Sequence, residues 1–289
     1  MAHYLVTGGC GFIGSHLCAA LVARGDRVRV LDDLSTGSRA NLAPGAGLVV
    51  GDVADPAVVQ GAMQGVDGCF HLAAIASVER AVREWLATHR VNLSATIGVF
   101  DAARAVGPVP VVYASSAAVY GDQETLPIAE DAPKRPLSAY GADKLGCEQQ
   151  ALVAGHVHQV PTMGLRFFNV FGPRQDPKSP YSGVISIFCD RLSAGQPVQV
   201  FGDGGRSRHS SAHNASEGVS RNATGFSFRR PGRARPAAVR QALETKAATA
   251  KPSTESQPRM HRIVSGTRYG LFIASVSMFC CQRPRVIQN

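Results

Sequence analysis

Short apolar runs alternate with stretches of helical spacing along the first 205 residues. "HYLVTGG" (3–9) reads as a buried strand ending in glycines, and "FIGSHLCAALVARG" (12–25) has helical apolar spacing closed by Gly25. "RVRVLDD" and "GLVVGD" read as a second and a third strand. In "ADPAVVQGAM", Asp55 is placed to cap a helix with Pro56 at its first position. "GCFHLAA", "PVVYASS" and "TMGLRFFNV" supply a fourth, fifth and sixth strand, with helix-like segments expected around 77–106 and 140–159. Strand alternating with helix implies a parallel sheet covered on both faces. Residues 1–170 are therefore predicted to form a doubly wound, Rossmann-type α/β domain. Residues 171–208 read as the start of a smaller substrate lobe, with a helix near 183–194 and a strand at 197–201.

This grammar stops close to Arg208, and the charge changes with it. Residues 1–205 carry 15 Lys/Arg against 18 Asp/Glu, whereas residues 206–289 carry 15 against 3 and no aspartate at all. The basic balance of the chain thus belongs to its tail. The tail shows no sustained period and no basic motif interleaved with aromatics, so no specific nucleic-acid partner is expected. Residues 209–289 are expected to be disordered or aberrant. The apolar run "GLFIASVSMFCC" (270–281) has 12 residues, too few for the roughly 20 that a membrane-spanning helix needs. Seven scattered cysteines without a Cys-x-x-Cys pair suit a reducing cytoplasm, and a chain that enters a strand at once suggests no signal peptide. No metal site is expected: His156 and His158 lack further ligand-type neighbours.

"VTGGCGFIG" places Gly9, Gly11 and Gly14 in Gly-x-Gly-x-x-Gly, with Gly8 leading a wider glycine pattern. Glycine is needed where a pyrophosphate approaches backbone closely, and the helix beginning at Phe12 and Ile13 aims its first amides at that anion. Asp32 follows Gly14 by 18 residues at a strand end, where its carboxylate would accept from ribose hydroxyls and repel a 2′-phosphate. NAD is therefore expected rather than NADP. Asp52 and Val53 are candidate adenine contacts, with Asp52 alternatively capping a loop. Ala73 completes the expected cofactor set. His71, in an apolar run, reads as a satisfied core histidine, and Cys10 as a small filler of the loop.

Tyr140 and Lys144 are one helical turn apart and share a face. An ammonium beside a phenol favours the phenolate, so Tyr140 could accept the proton of a substrate hydroxyl while Ser116, at the end of the fifth strand, bonds the same oxygen. Together, "VTGGCGFIGSHL", "LDDLSTG", "GDVAD", "HLAA", "SSAAVYGD", "YGADK" and "RFFNVFGPRQDPKSPYSGVI" make the chain, from residue 3 to about 208, resemble the extended short-chain dehydrogenase/reductases. Within them it looks most like the nucleotide-sugar 4-epimerases of the UDP-glucose and UDP-N-acetylglucosamine type.

The resemblance implies that Tyr140 is the base, Ser116 its partner and Lys144 a ligand of the nicotinamide ribose. It also implies that Asn169 and Arg208 meet the phosphates of a UDP-sugar, and that two copies pair through the helices near 77–106 and 140–159. Related dehydratases carry Asp-Glu after the serine, and decarboxylases a Glu, where this chain has Ala117 and Ala118. Ala76, small where many such epimerases have Lys, suggests room for a bulkier sugar. Arg174 and Lys178 are either solvated or on the substrate phosphates. The family pattern continues with Arg-Asp-Phe, but here His209 follows Arg208 and nothing beyond it matches. The alternatives to an epimerase are a truncated NAD-binding relic and a decarboxylase or reductase of the same family.

Overall fold

The computed structural model describes residues 1–176, 184–198 and 276–280. Arg208, Lys178, the expected strand from residue 199 onward and the tail apart from 276–280 lie outside them. Six parallel strands form the sheet: β1 (His3–Thr7), β2 (Arg27–Asp32), β3 (Gly47–Val50), β4 (Gly68–His71), β5 (Val111–Ser116) and β6 (Thr162–Phe167). A seventh, β7 (Val276–Cys280), pairs antiparallel with β6, giving the order β3-β2-β1-β4-β5-β6-β7. The chain thus winds one way from β1 to β3 and the other way from β4 onward. The crevice between the carboxyl ends of β1 and β4, where strand order reverses, is where such sheets bind ligands.

Alternation along each strand sends neighbours to opposite faces. Leu5 packs with Leu31, Val59, Met63, Val99 and Phe100 on one side. Val6 packs with Val28, Val30, Cys18 and Leu21 on the other. Helix α1 (Phe12–Ala23) covers the second face, and α2 (Pro56–Met63) joins the first. Asp55 caps α2 as its sequence suggests, accepting the N–H of Ala57 at 2.9 Å and of Val58 at 3.5 Å, with Pro56 leading the helix.

The stretch expected to be helical over 77–106 is broken. It forms α3 (Val78–Arg83), α4 (Trp85–His89), a π turn (Arg90–Ser94) and α5 (Ala95–Ala105). Glu84 leaves helical geometry at φ −122° and ψ 52°. The π turn coincides with Asn92, whose side chain is bound to the backbone of Ile75: it accepts from Ile75 N–H at 2.8 Å and donates to Ile75 C=O at 3.1 Å. A partner 17 residues away is invisible to local periodicity. Helix α6 (Ala139–Val157) then runs beneath β5 and β6, and α7 (Val184–Ser193) lies beyond them in the chain. Asp55→Ala is expected to lower unfolding free energy by about 0.5–2 kcal/mol, read by urea denaturation, because two amides lose their acceptor.

Candidate active site

The loop from β1 into α1 is set by contact between its own glycines. Gly8 adopts φ +70°, and a Cβ there would stand 2.8 Å from Ala73 N. A Cβ on Gly14 would reach 2.2 Å from the carbonyl oxygen of Gly8, so the first turn of α1 rests directly on the loop. Gly11 is only grazed, at 3.2 Å from that same oxygen. No side chain caps α1 at Gly11, and its first turn holds no acidic residue. The amides from Phe12 onward therefore face outward as an anion cradle.

Asp32, at the end of β2 and buried, accepts the N–H of Cys10 and of Leu34, each at 2.9 Å. One contact is made by each oxygen, and a carboxylate has about four acceptor positions, so acceptors remain for a ribose diol. A Cβ on Gly37 would stand 2.8 Å from Asp32 Oδ1, which closes the far side of this carboxylate. Asp52 does what its loop-capping reading asks, accepting from Ala54 N–H at 2.8 Å, and pairs loosely with Arg90 at 3.9 Å. Val53 is buried in the core, and Ala73 lies against Gly8. This donor set, an uncapped helix start, glycines that admit no side chain and a carboxylate at the second strand, fits a dinucleotide. Burial first and Asp32 second push the Cys10 thiol up, so Cys10 is a small filler rather than a nucleophile.

On the other side of the crevice, Ser116 ends β5 and caps a 3-10 turn at Ala117–Val119, accepting Ala118 N–H at 3.1 Å. Tyr140 and Lys144 lie in the first two turns of α6, whose start is capped by Ser138. Gly141 is what lets them come close: a Cβ there would be 2.6 Å from the carbonyl oxygen of Ala118. The Tyr140 turn thus presses on the Ser116 turn, a contact that sequence spacing does not reveal. Lys144 is buried, donates to Ala114 C=O at 2.9 Å and holds its ammonium 5.9 Å from the centre of the Tyr140 ring.

Helix α6 is locked from behind. Arg166 of β6, fully buried, donates through Nε and Nη2 to the two oxygens of Glu148, both at 2.7 Å. Ser115, beside Ser116, donates to the same carboxylate at 2.6 Å. The Glu148 hydrogen bonds hold the guanidinium charged, well above its ordinary range. Sequence reasoning passes over both residues, although Glu148 stands one further turn along the face of Lys144 and Arg166 interrupts an apolar strand. Asn169 is exposed just past β6. His16, on α1, bonds the carbonyl of Pro173 at 2.9 Å, which ties the following loop to the cofactor helix. Arg174 adopts φ +65° in that loop. Among the described residues, no group of three or more His, Cys, Asp or Glu could hold a metal, and no helix is long and apolar enough to cross a membrane.

The NAD dependent epimerase/dehydratase family matches residues 4–209. A putative UDP-glucose 4-epimerase of Methanocaldococcus jannaschii is 37% identical over 206 residues, covering 71% of this chain and 67% of that protein. The UDP-N-acetylglucosamine 4-epimerase of Methanobrevibacter ruminantium, solved with UDP-N-acetylmuramic acid, is 36% identical with a TM-score of 0.69, over 72% of this chain and 68% of that one. The Thermus thermophilus UDP-glucose 4-epimerase, solved with NAD, is 38% identical with a TM-score of 0.66, over 72% and 69%. The chain thus spans about two thirds of the length of these relatives.

The glycines separate packing from binding. Gly11→Ala is expected to leave the melting temperature within a degree or two while weakening NADH binding at least tenfold by fluorescence titration. Gly14→Ala is expected to lower both, since overpacking costs about 1–3 kcal/mol.

Proposed function

The chain belongs to the NAD dependent epimerase/dehydratase family, and on that premise we propose that it inverts C4 of a nucleotide-activated sugar through a transient 4-keto sugar. The substrate class is a UDP-hexose or a UDP-N-acetylhexosamine. The observation that carries this reading is the seating of the Tyr140–Lys144 turn against the Ser116 turn at Gly141. Ala117 and Ala118, with no ionisable group beside that serine, favour inversion over dehydration or decarboxylation.

NAD is the cofactor, and when bound it supplies the two-electron oxidation and reduction at C4. Tyr140 takes the proton of the 4-hydroxyl and later returns it. The Lys144 ammonium stands beside the Tyr140 ring and is itself held in place by the Ala114 carbonyl. Ser116 bonds the reacting oxygen and steers the proton. Asn169, exposed beyond β6, and the uncovered amides of α1 offer donors to sugar-nucleotide and cofactor phosphates respectively. Lys144 and Phe12, Ile13 and Gly14 do their work by position; only Tyr140 changes protonation state.

The same reading extends to assembly. Trp85 and Leu86 are 68% and 81% exposed, and Leu152 and Val157 on α6 are 49% and 61% exposed. Helices α3 and α4 both pack on α6, so these exposed apolar side chains are spread along one packed set of helices. An apolar surface of this kind is covered in a homodimer.

Purified protein is expected to interconvert UDP-galactose and UDP-glucose, or their N-acetylated counterparts, and Tyr140→Phe to slow this at least about 100-fold. Tight NAD binding with no conversion of either pair overturns the proposal in favour of a dinucleotide-binding relic. By sedimentation the protein is expected to be a dimer and Leu86→Glu a monomer; a monomeric wild type removes the dimer.

A further inference from the structure

Thr7 (β1), His71 (β4), Asn92 (π turn), Thr96 (α5) and Cys147 (α6) meet in the interior, none more than 2% exposed. Thr7 Oγ1 lies 2.8 Å from His71 Nδ1, and His71 Nε2 lies 3.0 Å from Thr96 Oγ1. The Thr96 hydroxyl donates to the Asn92 carbonyl at 2.7 Å, and the Cys147 thiol donates to that same carbonyl at 3.2 Å. Thr7 Oγ1 also accepts the N–H of Leu72 and of Ala73, each at 3.2 Å.

These contacts fix where each proton sits. A hydroxyl has one proton and two lone pairs. Thr7 Oγ1 accepts from two backbone amides, one of which, Leu72 N–H, is shared with the Thr7 carbonyl at 3.2 Å, so its own proton is directed to His71 Nδ1. The proton of Thr96 is committed to Asn92, so His71 Nε2 must donate. The ring is therefore neutral and protonated on Nε2. Burial, and after it the positive charge of Lys144, pull this imidazole down to about 3, and no carboxylate is among its hydrogen-bond partners.

The arrangement frames the exit of β4. Leu72 and Ala73 are held by Thr7, and Ile75 is held at both its N–H and its C=O by Asn92. Ala73 is the backbone against which Gly8 of the phosphate loop rests. His71 joins the two anchors, because it touches Thr7 directly and reaches Asn92 through Thr96. Cys147 brings in α6 one turn beyond Lys144.

We propose that His71 is a positioning residue of the NAD cleft, coupling Thr7 to Thr96 through its Nε2–H tautomer so that segment 72–75 is set against both the phosphate loop and α6. The proposal depends on the NAD cleft and not on which sugar is turned over.

The test is a double-mutant cycle on the full chain with isosteric variants, Thr7→Val, Thr96→Val and both together, reading NADH affinity by fluorescence. The two threonines act through one ring, so the double variant is expected to bind no more than two- to threefold weaker than the worse single variant, each single losing about tenfold. Losses that multiply, or a Thr96→Val protein that binds like wild type, overturn it. Nitrogen-15 spectra of histidine-labelled wild type supply a second readout that needs no variant. The buried ring, recognised by slow exchange of its N–H, is expected to show the neutral Nε2–H pattern at pH 7. An Nδ1–H or doubly protonated ring overturns the proposal whatever the cycle shows.

Discussion

A guanidinium with no access to water governs the half of this fold that carries Ser116, Tyr140 and Lys144. Arg166 and Glu148 meet through two parallel hydrogen bonds at 2.7 Å. Arg166 also donates to the Tyr120 hydroxyl and to the Glu130 carbonyl, both at 2.7 Å. Desolvating two charges is expensive, and removing one partner of such a pair typically costs about 3–5 kcal/mol. Every donor must therefore keep its acceptor, and the acceptors lie on α6 and on the segment after Ser116. The pair holds β6 to α6, Ser115 adds β5, and Tyr120 with Glu130 adds the segment after Ser116. The geometry of Tyr140 and Lys144 relative to Ser116 follows from this arrangement behind them. The contact of Gly141 with the Ala118 carbonyl, and that of Lys144 with the Ala114 carbonyl, complete it from the front.

The cofactor half is governed differently, by exclusion of atoms. Gly8 and Gly14 touch each other's backbone and that of Ala73, so loop, helix start and β4 exit are mutually registered by the absence of side chains. Asp32 then closes the loop from the β2 side through the amide of Cys10. One half is thus fixed by satisfied charge and the other by close packing of backbone. His71 stands between them in a layer of neutral hydrogen bonds.

Much of this is legible in the order of the amino acids. All six parallel strands, the Asp55 cap, the glycine loop and the placement of Asp32 follow from period, turn chemistry and spacing, because each is a local property of the chain. The family match spans residues 4–209 and so ends beside the change of charge and pattern near Arg208. What escapes such a reading is long-range. The break in the 77–106 helix depends on Ile75, the lock on α6 depends on Arg166 finding Glu148, and the closeness of Tyr140 to the Ser116 turn depends on the carbonyl of Ala118. His71 is rightly expected in the core, yet its connections to Thr7 and Thr96 need the sheet to be assembled before they exist.

The π turn at Arg90–Ser94 has a consequence for chain length. Such a turn accommodates one residue more than an α-helical turn, and each residue rotates a helix by about 100°. Deleting one residue of that turn would let it close to an ordinary α-helical turn, so what precedes it would keep its side, and His89 would stay near Asp143, its partner on α6 at 2.7 Å. A deletion inside α5 has no such reserve and would swing His89, Trp85 and Leu86 around the axis together. The turn is thus a place where this stretch can lose a residue and keep its face toward α6.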